Sequence, residues 1–103
     1  MKIIQKLSEK ISEEIHDAKC YAKMALEYRE QYPDLSRTLY EISTEEMGHM
    51  AKLHGAVAEI IGKYRETNGE PPASMLAVYD YLHKKQIADA AEVKNLLAMY
   101  KEA

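Results

Sequence analysis

Residues 3–31 contain neither glycine nor proline, and Pro33 then follows after a single intervening residue. Within that stretch apolar side chains fall at Ile4, Leu7, Ile11, Ala18, Tyr21, Ala25 and Tyr28. Steps of three and four residues belong to a helix that presents one seam. Pro33 must end that helix, because its ring pushes the preceding residue out of α geometry. A second helix starts almost at once, with Asp34 as a candidate N-cap. It runs over residues 34–66, roughly 50 Å at 1.5 Å per residue, until Asn68-Gly69 caps it and Pro71-Pro72 forbids continuation. Two long helices joined by so short a linker can only fold back on each other as an antiparallel αα-hairpin.

The remaining chain reads as two shorter helices. Residues 73–85 carry Met75, Leu76, Tyr79 and Leu82, and residues 87–102 carry Ala91, Leu97 and Tyr100. A break over residues 85–89 separates them, or the segment is one bent helix. The expected fold is therefore all-α and a single domain over residues 1–103. A helical hairpin occupies residues 1–67 and shorter C-terminal helices occupy residues 72–103. A chain of 103 residues buries only a thin core, so a partner subunit would help it.

Composition removes several classes of function. The net charge is −3 with no basic patch, so nucleic acid is not an expected partner. Cys20 stands alone and there is no CxxC to hold zinc or a rubredoxin-type iron. No apolar run approaches the roughly 20 residues of a membrane span. The N-terminal MKIIQKLSEKISEE becomes charged too early for a signal peptide. Absent such signals, the expectation is a soluble cytoplasmic protein.

The seam of the second helix poses the functional question. It reads Leu35, Leu39, Ile42, then Glu46 and His49, then Leu53, Ala56 and Ile60. Glu46 and His49 are three residues apart and leave the helix on one face. On the first helix Glu14 takes the seam position between Ile11 and Ala18. Folding the hairpin about Pro33 brings Glu14 and His49 to within about 4.5 Å of the same level. Burying a lone carboxylate costs several kcal/mol, so such groups are paired or coordinate a metal. Two glutamates and one histidine suit iron or manganese and tolerate zinc. The other reading is a polar cluster that fixes helix register.

Glu14 together with Glu46-Met47-Gly48-His49 resembles the half-site of the ferritin-like superfamily, whose full centre takes a Glu from each of two helices and a Glu-x-x-His from each of the other two. This chain has one such set, because Asp80-x-x-His83 and Glu92 come in the wrong order to make a second. The layout is similar to that of the encapsulated ferritins and to the helix pair of rubrerythrins. The resemblance implies a homodimer whose two hairpins form a four-helix bundle around two irons. It implies ferroxidase-type oxidation of Fe(II) to Fe(III), with rubrerythrin-like peroxide reduction as the alternative. It also implies a role near the metals for Tyr21, which lies two turns beyond Glu14 on the same face. The tail LLAMYKEA does not match the peptide that directs cargo into an encapsulin shell, so residence in a shell is not expected. A reading of another class is a metal-free helical dimer with a structural or adaptor role.

Other candidates carry less. Glu13 and His16 share the Glu-x-x-His spacing but point away from the Glu14 face. Asp17 lies at the edge of the seam, and Glu45 lies off it. His54 and His83 read as surface or boundary residues, Met47 and Met50 as packing, and Cys20 has no visible partner. Gly48 costs roughly 1 kcal/mol relative to Ala in a helix and is expected to permit a close helix approach.

Overall fold

The computed structural model describes residues 2–102. Three helices account for nearly all of them: α1 (Lys2–Glu27), α2 (Pro33–Asn68) and α3 (Ala73–Lys101). Helices α1 and α2 form the expected antiparallel hairpin. α3 returns parallel to α1: Gln86 touches Ser8 and Ser12, and Lys19 pairs with Glu92 six residues further along. The molecule is 55 Å long, matching the roughly 54 Å of a 36-residue α2.

The linker differs from expectation in detail. α1 stops one turn early, and the chain turns through residues 28–31 before Tyr32 takes an extended conformation at φ −135°. Pro33 is the first residue of α2, where its missing N–H leaves nothing unsatisfied. Asp34 is therefore not the cap. It lies in the first turn, where its carboxylate meets the positive end of the helix and a distant Arg37 at 3.8 Å. At the far end Gly69 takes φ 75° and closes α2 by donating its N–H to the Arg65 carbonyl, as Asn68-Gly69 predicts.

The expected pair of C-terminal helices is one continuous helix of 29 residues. Nothing between Ala73 and Lys101 is a helix breaker. The inward positions run Tyr79, His83, Gln86, Ala90, Val93, Leu97 and Tyr100, in unbroken steps of three and four. Two of them, His83 and Gln86, are polar, and that made an intact period look like an interruption. Gln86 is buried because its amide donates to the Ser8 carbonyl at 3.0 Å and to the Ser12 hydroxyl at 3.1 Å.

The hairpin core is narrow at the turn and wider at the open end. Near the turn, Ala18, Ala22 and Ala25 face Ser36, Leu39 and Ser43, all buried. The backbones come close enough for Ser43 Oγ to donate to the Ala18 carbonyl at 2.7 Å and for Ser36 Oγ to donate to that of Ala25. Toward the open end Ile4, Ile11 and Ile15 meet Val57 and Ile61, and Ala90 and Val93 of α3 close the same cluster.

The buried stripe of α1 is Ile4, Ser8, Ile11, Ile15, Ala18, Ala22 and Ala25. Half of the expected seam is thus the core. The other half, Leu7, Glu14, Tyr21 and Tyr28, is a flanking stripe that is only half-buried. On α2 the same displacement leaves Leu35 47% exposed and Ile42, Leu53, Ala56 and Ile60 half-buried.

Gly48 lies within the helix, and a Cβ built there meets nothing within 4 Å. It faces away from α1 and does not serve close packing in the hairpin. Gly48→Ala should therefore stabilise the protein by about 0.5–1 kcal/mol, read as a raised midpoint in thermal unfolding. Ala22→Leu, in contrast, should cost about 1–3 kcal/mol in denaturant titration, because a buried methyl position between close backbones has no room for three more carbons.

Candidate metal centre

The register of the hairpin decides what faces what. Ser43 lies against Ala18 and Ser36 against Ala25, so seven residues forward on α1 are seven back on α2. Extending that pairing places Glu14 opposite Met47, between Glu46 and His49. The turn centres near residues 30–31, ahead of Pro33, and this removes the offset expected from folding about the proline.

The three candidate ligands do come together. His49 Nδ1 is 3.6 Å from a Glu14 oxygen and 4.0 Å from a Glu46 oxygen. One ligand atom from each residue lies within 4.8 Å of the others. Neither carboxylate forms an ion pair with a lysine or arginine among the described residues. The 3.6 and 4.0 Å separations are also too long for hydrogen bonds. Two carboxylates that are four-fifths buried (19% and 20% exposed) thus share one imidazole. Two carboxylates and one imidazole with ligand atoms within 4.8 Å of one another are a group that could hold a metal ion.

Exposure locates the cluster. The His49 side chain is 55% exposed, far more than its two partners. At 100° per residue, Glu14 sits roughly 140° around α1 from Lys19, which faces α3. Glu46 and His49 likewise lie on the side of α2 away from Tyr40 and His54, which touch Tyr100 and His83 of α3. The cluster therefore opens on the hairpin face that α3 leaves uncovered. Leu7, Tyr21, Tyr28, Ile42, Leu53 and Ile60 share that face, each half-buried.

Tyr21 is on the right stripe, but it is seven residues beyond Glu14, roughly 10 Å along the helix. No hydrogen bond joins it to the three ligands. Glu13 and His16 are solvated, as expected: Glu13 pairs with Lys10 at 3.0 Å, and His16 lies 3.7 Å from the exposed Cys20. Asp17 and Glu45 are exposed. Met47 and Met50 pack against the core cluster. Glu92 is committed to Lys19 at 2.9 Å, and that hydrogen bond, with the Lys19 charge, holds its carboxyl below the usual range. It takes no part in a second carboxylate–histidine set.

One grouping was not legible in the sequence. His54 and His83 lie on different helices, yet their ring nitrogens are 2.8 Å apart. Only the register of α3 against α2 reveals this.

No protein-family model, curated protein or solved structure matches the chain. No helix among the described residues is long and apolar enough to cross a membrane.

Neither carboxylate has an ion pair with a lysine or arginine among the described residues, so the cluster is expected to add little to the stability of the fold. Glu46→Leu combined with His49→Leu should keep or raise the thermal midpoint of metal-free protein. A loss of more than about 2 kcal/mol would instead mark the cluster as the device that fixes hairpin register.

Proposed function

We propose that two copies of the chain pair through the uncovered hairpin face and bind two divalent metal ions, iron first, between them. The supporting observation is the combination of convergence and exposure. Three ligands meet within 4.8 Å, and the imidazole among them remains 55% exposed. Carboxylates and imidazole from one hairpin leave coordination positions open. A two-fold axis passing beside the cluster supplies the same three residues again, which makes a self-complementary interface. The half-buried apolar side chains around the cluster would be covered by the same contact.

In this reading Glu14, Glu46 and His49 of both copies hold the ions. The four carboxylates balance the charge of two Fe(II), which lowers the cost of burying them. Hard oxygen donors with one imidazole per ion suit iron and manganese and admit zinc. The reaction is of the ferroxidase type: each Fe(II) substrate ion loses one electron, and dioxygen or peroxide takes up the pair with two protons. Tyr21, half-buried on the same stripe, would hydrogen-bond a ligand or donate an electron in this reading. Comparing dioxygen and peroxide as oxidants in stopped flow assigns the physiological acceptor.

The test is an anaerobic Fe(II) titration of metal-free protein of known mass in solution. The expected result is saturation at one iron per chain in a dimer, abolished by Glu46→Ala while helix content persists. Absence of saturable binding, or binding unaffected by Glu46→Ala, overturns the proposal and leaves a polar register device in a structural helical protein.

A further inference from the structure

Besides the core cluster, rings of α3 stack on rings of α2 at two places. Near the hairpin turn Tyr40 stacks on Tyr100, with ring centres 4.5 Å apart. Further along, His54 and His83 stack with centres also 4.5 Å apart, and Tyr79 lies parallel to His83 on α3. His54 Nε2 and His83 Nδ1 are 2.8 Å from each other. Two neutral imidazoles at that distance share a single proton, one donating and the other accepting. No carboxylate forms an ion pair with either ring among the described residues.

Beside the pair is a cavity of about 320 Å³, walled by apolar side chains including Ile11, Met50 and Ile87. Gln86 also lines it, three residues after His83 on the same face of α3. The orientation of the Gln86 amide is set by its partner: the Ser8 carbonyl can only accept, so the nitrogen points at α1. The amide oxygen is left without a protein partner on the other side of the group. Lys94 lines the same cavity.

We infer that His54 Nε2 and His83 Nδ1 form a second cation site, with Gln86 Oε1 as a third donor and water completing the shell. The spacing fits. Two nitrogens each about 2.0–2.1 Å from zinc are roughly 3.3 Å apart in tetrahedral geometry and about 2.9 Å apart in octahedral geometry. The nitrogens thus need to part by about 0.5 Å or less, and the stacked rings, 22° from parallel, must tilt so that both in-plane lone pairs converge on the ion. Burial, with His83 beside it, holds the His54 imidazole below its usual value.

The donor set also selects the ion. Two imidazoles and an amide oxygen bring no negative charge, and Lys94 adds a positive one. Ions held mainly by charge, such as magnesium, calcium or manganese, gain little here. Zinc and copper(II), which bond strongly to imidazole, are favoured. The two metal sites would then differ in both place and preference. The carboxylate cluster takes hard ions on one face of the hairpin, and the histidine pair takes borderline ions on the other. A cation at the pair would replace a single shared proton with bonds from both helices and fasten α3 to α2.

The test uses untagged full-length protein carrying Glu46→Ala, His49→Ala and Cys20→Ser, which removes the first cluster and the exposed His16–Cys20 pair. Titration with zinc, followed by calorimetry, should show one ion bound per chain. Affinity should fall roughly tenfold or more in either His54→Gln or His83→Gln. With copper(II), electron paramagnetic resonance should show coupling to two imidazole nitrogens, reduced to one in each variant. No saturable zinc binding in the parent protein overturns the inference. So does zinc affinity or nitrogen coupling that is unchanged in both histidine variants. Because the parent lacks the carboxylate cluster, either result is independent of the iron titration.

Discussion

The close contact between the small side chains of α1 and α2 is the constraint on which the other features depend. Ala18, Ala22 and Ala25 allow the backbones to approach until two serine hydroxyls of α2 reach carbonyls of α1. A hydroxyl is a short arm, and it reaches a facing carbonyl only in one register. Slipping the hairpin by a turn would bury Ser36 and Ser43 without acceptors, at a cost of about 1–3 kcal/mol for each. The same register sets Glu14 level with Glu46 and His49. Convergence of the three ligands is therefore a consequence of packing two turns away, near the hairpin turn. It does not require the ligands to attract one another, which two carboxylates would not do.

Placement of α3 gives the hairpin two unlike faces. One is covered, with Gln86 as a polar peg into α1 and the two ring stacks against α2. The other keeps a half-buried apolar stripe on each helix, with the carboxylate–histidine cluster between them. A lone three-helix protein of this length has little reason to place tyrosine, leucine and isoleucine in regular order around two glutamates on its uncovered side. A second copy supplies a reason, since the stripe and the cluster would be covered by one contact.

The helical hairpin was legible because its signals are strong and local. Pro33 and Gly69 delimit α2 through backbone geometry alone, and a glycine-free, proline-free run defines α1. The three ligands were legible because register follows from the shortness of the linker. Which half of the seam is core was not legible. On α1 the heptad positions of Ile4, Ile11, Ala18 and Ala25 and those of Leu7, Glu14 and Tyr21 are neighbouring stripes, and both look apolar. Ser8, Ser36 and Ser43 belong to the true core, which no apolar pattern reveals, because a buried hydroxyl depends on a partner on a facing helix. Gln86 is buried through its amide bonds to α1, and the sequence left open whether residues 73–102 form two helices or one bent helix.

The shift of seam also changes what the glutamates are. Fully in the core, Glu14 and Glu46 would be a severe burden on folding without metal, and the protein could fold only when loaded. On the flanking stripe, four-fifths buried, they keep partial contact with water. The hairpin can then form first, on its alanines, serines and isoleucines, and present a preassembled half-site. In the proposed assembly, desolvation of the carboxylates would be deferred to the step at which a second copy and the cations arrive together, when opposite charges would compensate it. A polar cluster on a flanking stripe is thus compatible with a stable single-chain fold, and in the proposed dimer it would place the largest electrostatic change at assembly and not at folding.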